Sequence, residues 1–223
     1  MRKPLGVCAG ITPFNFPAMI PCWMFAMAIA TGNGFILKPS EKDPSVPMRL
    51  AELFIQAGGP AGLLNVINGD KEMVDGLIEH DDIKAISFVG SSDIAHSVYQ
   101  KSAAAGKRAQ CMGGAKNHGI IMPDANIDQA VNDIIGAAYG SAGERCMALP
   151  VVVCVGDETA EKFKAKLLPA IDALKVGPSL EADTDYGPVV TQAHKDRVIS
   201  YIDLAVEEGC ELIRDGRNFT LEG

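Results

Sequence analysis

No charged residue lies between Lys3 and Lys38. Ionised side chains are rarely buried unpaired, so a gap this long marks a stretch of chain bound for an apolar interior. A bilayer would be one such interior, but a spanning helix needs about 20 consecutive apolar residues. Pro13, Pro17 and Pro21, with Asn15, Gly32, Asn33 and Gly34, cut the stretch into pieces too short for that. The remaining reading is protein core: a buried strand at 5–11, a Pro-rich loop at 12–17, a helix at 18–30 and a second strand at 35–37. The helix is apolar all round, which predicts that it is buried. Strands buried on both faces belong to parallel sheets, whose ligands bind at the carboxyl ends.

The same alternation continues. An amphipathic helix at 48–57 stops at Gly58-Gly59-Pro60. A strand at 64–67, a helix at 72–78 and a strand at 85–89 follow. Gly90-Ser91-Ser92 then opens a helix that runs through 105, and 107–112 is extended. Regular alternation predicts right-handed βαβ units and an α/β, doubly wound parallel sheet. After Met112 the texture changes. Gly113-Gly114 reads as a crossing between domains, giving one domain at 1–112 and a second at 113–223. The second holds a strand at 119–122, a helix at 127–139, a strand at 151–155 and a helix at 159–174. A turn-rich connection at 183–190, a helix at 193–208 and the start of a strand at 211–214 complete it.

A formal net charge of −8, with no basic stripe to offset it, argues against a nucleic-acid partner. The six cysteines form no Cys-x-x-Cys pair and have no metal-like spacing with the four histidines, so no metal is expected. They read as reduced thiols of a cytosol-like or matrix-like compartment.

The chemistry centres on Cys146, in the run from Gly140 to Pro150 between a helical and a β-branched segment. Cysteine on a turn between regular elements is usually accessible, and the neighbouring Arg145 favours the thiolate. A lone cysteine read by itself is as compatible with packing. Lys38 and Glu41 follow a strand, where they suit the hydroxyls of a nucleotide ribose or are merely solvated. Gly90 and Ser91 begin a helix, where free N–H groups hold a phosphate or the helix is simply capped. Asn15 offers amide donors at the carboxyl end of the first strand, suited to an oxyanion or to a local turn. Neither Gly-x-Gly-x-x-Gly nor a P-loop is present.

Together, Pro13-Phe-Asn-Phe-Pro17, Lys38-Pro-Ser-Glu41, Phe88-Val-Gly-Ser-Ser92 and Gly143-Glu-Arg-Cys146 resemble, in this order, the aldehyde dehydrogenase superfamily. The resemblance covers the whole chain. Three longer runs, from Gly6 to Pro17, Gly114 to Gly119 and Arg145 to Leu149, are similar to methylmalonate-semialdehyde (malonate-semialdehyde) dehydrogenases. It implies an NAD-dependent oxidation of a semialdehyde acid with acyl transfer to coenzyme A, of the kind used in valine and inositol catabolism. The resemblance gives Cys146 as nucleophile, Asn15 as oxyanion donor and Arg145 as the partner of the substrate carboxylate. For NAD it implies Thr12, Phe14, Lys38, Glu41, Gly90 and Ser91. It also implies a homo-oligomer, a tetramer for the complete enzyme, in the cytoplasm or the mitochondrial matrix, with neither membrane nor nucleic-acid partners.

The departures carry as much meaning. Most members of the superfamily have Glu-Leu-Gly-Gly-Lys, whose Glu activates hydrolytic water. Alignment on Lys116 puts Met112 in that Glu's position, and a thioether cannot accept the proton. Release of the acyl group by a thiol is the path this leaves. Ala95 replaces the second glycine of the cofactor turn, and Glu144 replaces a common Gln. Relatives are roughly twice as long, so the chain reads as the middle of such an enzyme, expected to be inactive or nearly so alone. Ordinary hydrolysis to a free acid, with Glu144 as the base, and a catalytically incomplete nucleotide-binding fragment are the alternatives.

Overall fold

The computed structural model describes residues 3–221, and the chain divides into two compact units between Gly114 and Ala115. The first is built from β1 (Val7–Ile11), α1 (Met19–Ala30), β2 (Gly34–Lys38), α2 (Ser45–Gln56) and β3 (Leu64–Val66). It continues with α3 (Lys71–Glu79), β4 (Ile83–Val89), α4 (Ser92–Ala104) and β5 (Arg108–Met112). All five strands are parallel, in the order β3-β2-β1-β4-β5.

The helices divide between the two faces as alternating side chains require. Ile20 and Met24 of α1 meet Phe35, Leu37 and Leu64 on one face, with Ala51 and Phe54 of α2 packed alongside. Leu77 and Ile78 of α3, with Ala95 and Val98 of α4, meet Ala9, Ile11, Ile86 and Phe88 on the other. Gly10 lets α1 approach, because a Cβ there would lie 2.6 Å from the Phe35 ring and 2.8 Å from the Met24 sulfur. The result is the α/β, doubly wound architecture expected from the alternation.

Two expectations need correction. α1 is apolar all round but is not buried all round: Ile20, Pro21 and Met24 are inside, whereas Trp23 is 44% and Met27 66% exposed. Both line a cleft of about 510 Å³ with Ser87, Arg108, Gln110 and Met112, between α1 and the strands β4 and β5. Residues 211–214 are not a strand: no neighbouring strand pairs with them among the described residues, and an extended segment without a ladder is loop. Arg214 instead forks onto the Asp172 carboxylate with two bonds of 2.8 Å.

The second unit contains β6 (His118–Ile121), α5 (Ile127–Tyr139), β7 (Val151–Cys154), α6 (Asp157–Asp172) and α7 (Gln192–Glu207). β6 and β7 are parallel, and their inner face packs Ile121 against Val131, Ile134 and Phe163. Asn126 caps α5 and Thr191 caps α7 through side-chain oxygens, a contribution of about 1 kcal/mol each. No helix among the described residues is long and apolar enough to cross a membrane.

Candidate active site

In the first unit, the sequence-predicted cofactor residues gather at one edge of the sheet. The register sets Ile11 beside both Lys38 and Phe88, so β1, β2 and β4 end level with one another. β2 and β3 lie on one side of β1 and β4 and β5 on the other, so the strand order reverses between β1 and β4. An open α/β sheet binds ligands at such a reversal, outside the carboxyl ends. Thr12 follows β1 there, is 4% exposed, and its hydroxyl oxygen has no hydrogen-bond partner among the described residues. Asn15 and Phe14 lie in the same loop, where the Lys42 ammonium sits 5.0 Å from the centre of the Phe14 ring.

Lys38 ends β2 with its side chain nearly buried. Its ammonium donates to the Gly69 carbonyl at 2.8 Å and to Glu41 Oε2 at 3.3 Å. Hydrogen bonding from its own backbone N–H, aided by the Lys38 ammonium, holds the half-exposed Glu41 carboxyl below its ordinary value. Gly90 and Ser91 join β4 to α4. Ser91 is the N-cap residue but makes no capping bond with its side chain, so its hydroxyl is not committed to the helix. Met112 ends β5, is 39% exposed, and accepts the Gly90 N–H at 3.1 Å. The Ser92 hydroxyl accepts from the Gly114 N–H at 3.1 Å, tying this corner to α4.

In the second unit the turn carrying Cys146 is held in an unusual backbone. Ser141, Ala142 and Gly143 are all left-handed, with φ of 56°, 53° and 74°. For residues with a Cβ this costs about 1–2 kcal/mol each, and such strain persists only where the surroundings enforce it. The Glu144 N–H closes the turn on Ser141 O at 2.9 Å. Two residues that the sequence did not single out then brace it. His194, on the first turn of α7, brings Nε2 to 2.7 Å from Glu144 Oε1. Asn117, just ahead of β6, donates its amide to Cys146 O at 2.9 Å and to Ala148 O at 2.8 Å.

The small residues before the cysteine have a use that sequence did not suggest. A Cβ on Gly140 would lie 2.6 Å from the Arg145 guanidinium, so this glycine makes room for the arginine. Arg145 folds back over the carboxyl end of α5, with Nη1 3.5 Å from Gly136 O, where the helix dipole favours a cation. Its buried Nε has no partner among the described residues.

Cys146 is exposed, and its backbone N–H donates to no group among the described residues. Burial raises the thiol pKa of Cys8, Cys22, Cys111 and Cys154, which keeps them protonated and unreactive. No cluster of three metal-binding side chains exists among the described residues.

Known proteins match this arrangement closely. The model of the aldehyde dehydrogenase family matches residues 1–223. A malonate-semialdehyde dehydrogenase of Pseudomonas aeruginosa is 57% identical over 221 residues, 99% of this chain and 44% of that protein. Malonate-semialdehyde dehydrogenase 2 of Geobacillus thermodenitrificans is 57% identical over 216 residues, 97% of this chain and again 44% of the relative. Among solved structures, a candidate methylmalonate-semialdehyde dehydrogenase of Sinorhizobium meliloti, complexed with NAD, superposes with a TM-score of 0.98 at 61% identity. It covers 100% of this chain and 45% of its own. The methylmalonate-semialdehyde dehydrogenase of Oceanimonas doudoroffii gives 0.95 at 55%, covering 96% and 44%. The chain thus spans less than half the length of these relatives, and it belongs to the aldehyde dehydrogenase family.

Proposed function

We propose that this chain carries the nucleophile and the cofactor cradle of an NAD-dependent, coenzyme A-acylating dehydrogenase of malonate or methylmalonate semialdehyde. The observation that carries the reading is Cys146: an exposed thiol on a braced turn, with a backbone N–H that has no partner among the described residues. The identity to malonate-semialdehyde dehydrogenases supports the substrate class.

The first unit, residues 1–114, is the cofactor-binding part. Lys38 and Glu41 offer a donor and an acceptor to ribose hydroxyls, the amino end of α4 with Ser91 suits a pyrophosphate, and the unpartnered Thr12 hydroxyl and the Phe14 ring complete the cradle. NAD, the ligand of the Sinorhizobium meliloti relative, supplies a hydride acceptor when bound. The second unit, residues 115–223, supplies the nucleophile.

The Cys146 thiolate attacks the aldehyde carbon, and the oxygen becomes an oxyanion for which the Cys146 N–H is a donor; the family resemblance assigns the Asn15 amide the same role. Loss of the aldehyde hydrogen as hydride leaves a thioester on Cys146. Arg145 holds the substrate's own carboxylate, which departs as carbon dioxide while the carbon it leaves takes up a proton. The thiolate of coenzyme A attacks the thioester carbonyl and expels Cys146 as thiolate, giving acetyl- or propionyl-coenzyme A. The family resemblance puts Met112, which is no base, where hydrolytic members carry Glu, and Glu144, only 17% exposed at its side chain, is engaged by His194. Both observations favour a thiol acceptor over hydrolysis.

The test is product analysis in a form spanning the relatives' full length, with and without coenzyme A. With it, NADH forms steadily and the acyl-coenzyme A accumulates. Without it, NADH appears as a burst of about one per site and then slows. Equal steady rates with accumulation of the free acid would show the hydrolytic enzyme instead.

A further inference from the structure

Asn117 spends both amide hydrogens on the turn of the nucleophile. One bond goes to the carbonyl of Cys146 itself (2.9 Å) and the other to that of Ala148 (2.8 Å). The Ala148 N–H in turn donates to the Arg145 carbonyl at 3.1 Å. The two peptide planes flanking Cys146 are thus both fixed: the following one directly by Asn117, the preceding one through Ala148. Peptides are trans throughout the described chain, so the Cys146 N–H points opposite to the Arg145 carbonyl. It is aimed away from the turn's own hydrogen bonds and has no acceptor among the described residues. The anchor is well placed, because Asn117 immediately precedes β6, whose strand pairs with β7 just after the cysteine turn.

We propose that Asn117 is a positioning residue that presets the Cys146 N–H as an oxyanion donor. This rests on reading Cys146 as the nucleophile. An oxyanion donor is effective when it is oriented before charge develops, so that no reorganisation accompanies the reaction. The strained Ser141 and Ala142 sit just upstream, and without Asn117 the segment relaxes toward other orientations of that N–H.

Two thiol probes separate positioning from general damage. Iodoacetamide alkylates the thiolate by displacing iodide, with no oxyanion. An activated acyl ester, p-nitrophenyl acetate, acylates it through a tetrahedral oxyanion: the sulfur–carbonyl bond forms, nitrophenolate leaves and the thiol proton passes to buffer. Both reactions are followed at Cys146 by peptide mapping in the 223-residue chain, with Cys210 as the exposed internal reference.

Asn117→Ala is expected to slow acylation of Cys146 about tenfold, less than the about 10²–10³-fold of deleting an oxyanion donor outright. Alkylation is expected to change less than about twofold. Asn117→Ser keeps one donor and should fall between; should the alanine variant fail to fold, the serine variant decides the matter alone. Equal slowing of both reactions, or no slowing of acylation, overturns the positioning role. A wild-type Cys146 that is alkylated no faster than Cys210 overturns the nucleophile reading itself, a result distinct from either.

Discussion

Lys38 Nζ lies 2.8 Å from the carbonyl oxygen of Gly69, so the ammonium that ends β2 also holds the loop after β3. The residue therefore supports the fold as well as the proposed ribose contact, whereas its partner Glu41 is half exposed and is left to the proposed contact. Replacing Glu41 with Gln should weaken NAD binding by about three- to tenfold, with little change in melting temperature. Lys38→Ala should cost about 1.5–3 kcal/mol in binding, as for a hydrogen bond from a charged group, and should also lower the melting temperature. Calorimetric titration with NAD, beside thermal melts, checks both.

The pH dependence of that site has a fixed sign. Glu41's carboxyl lies below its ordinary value, so its acceptor form persists above the unfolded carboxylate range and is lost only as pH falls through the lowered value. NAD affinity should be flat from about pH 8 to about pH 5, below which carboxylates begin to protonate. The Glu41→Gln variant should lack whatever acid loss the wild type then shows. An acid loss of equal size in both proteins would assign it to another group.

Arg145 should select for substrates that carry a carboxylate. Removing a charged partner from a desolvated pair costs about 2–5 kcal/mol. In the full-length form, Arg145→Leu should lower kcat/KM for malonate semialdehyde by at least about thirtyfold more than for propanal. Equal losses would assign the guanidinium to supporting the turn, through Gly136 and Gly140, and not to the substrate.

Supplying the missing base should change the product. Met112→Glu places a carboxylate at the exposed end of β5, and a positioned base contributes about 10²–10⁴-fold. The slow NADH phase without coenzyme A should accelerate by at least about tenfold, with free acid as the product. An unchanged slow phase would mean that the absent carboxylate is not what limits hydrolysis.

Much of this was legible in the sequence, for identifiable reasons. Apolar runs separated by amphipathic ones fix strand and helix alternation, and with it the doubly wound sheet. Boundaries drifted where local rules compete: α2 begins at Ser45, three residues before the periodic run, because Pro47 is tolerated in a first turn. The exposure of Trp23 and Met27 was hidden, since burial depends on which layer covers a helix and not on the helix itself. Leu212 and Ile213 looked like the start of a strand, but no strand among the described residues pairs with them. At the site, Cys146 could be singled out only through the ordered motifs shared with the family, and its braces could not be. Asn117 and His194 lie 29 and roughly 50 residues away along the chain, and only folding brings them to it. Asn117 lies in the run from Gly114 to Gly119 shared with the family, directly before a strand, and His194 had only an imidazole in the first turn of a capped helix. The left-handed Ser141 and Ala142 gave no signal, because neither is a residue that favours that conformation.

The most direct measurement is of the covalent intermediate. The full-length form is mixed with NAD and malonate semialdehyde without coenzyme A, quenched in acid during the burst, digested and mapped by mass. The account predicts an acyl group on the peptide containing Cys146 at close to one per site, removed within the mixing time by added coenzyme A. An unmodified Cys146 during a full NADH burst, or the acyl group on Cys111, Cys154 or Cys210 instead, would contradict it.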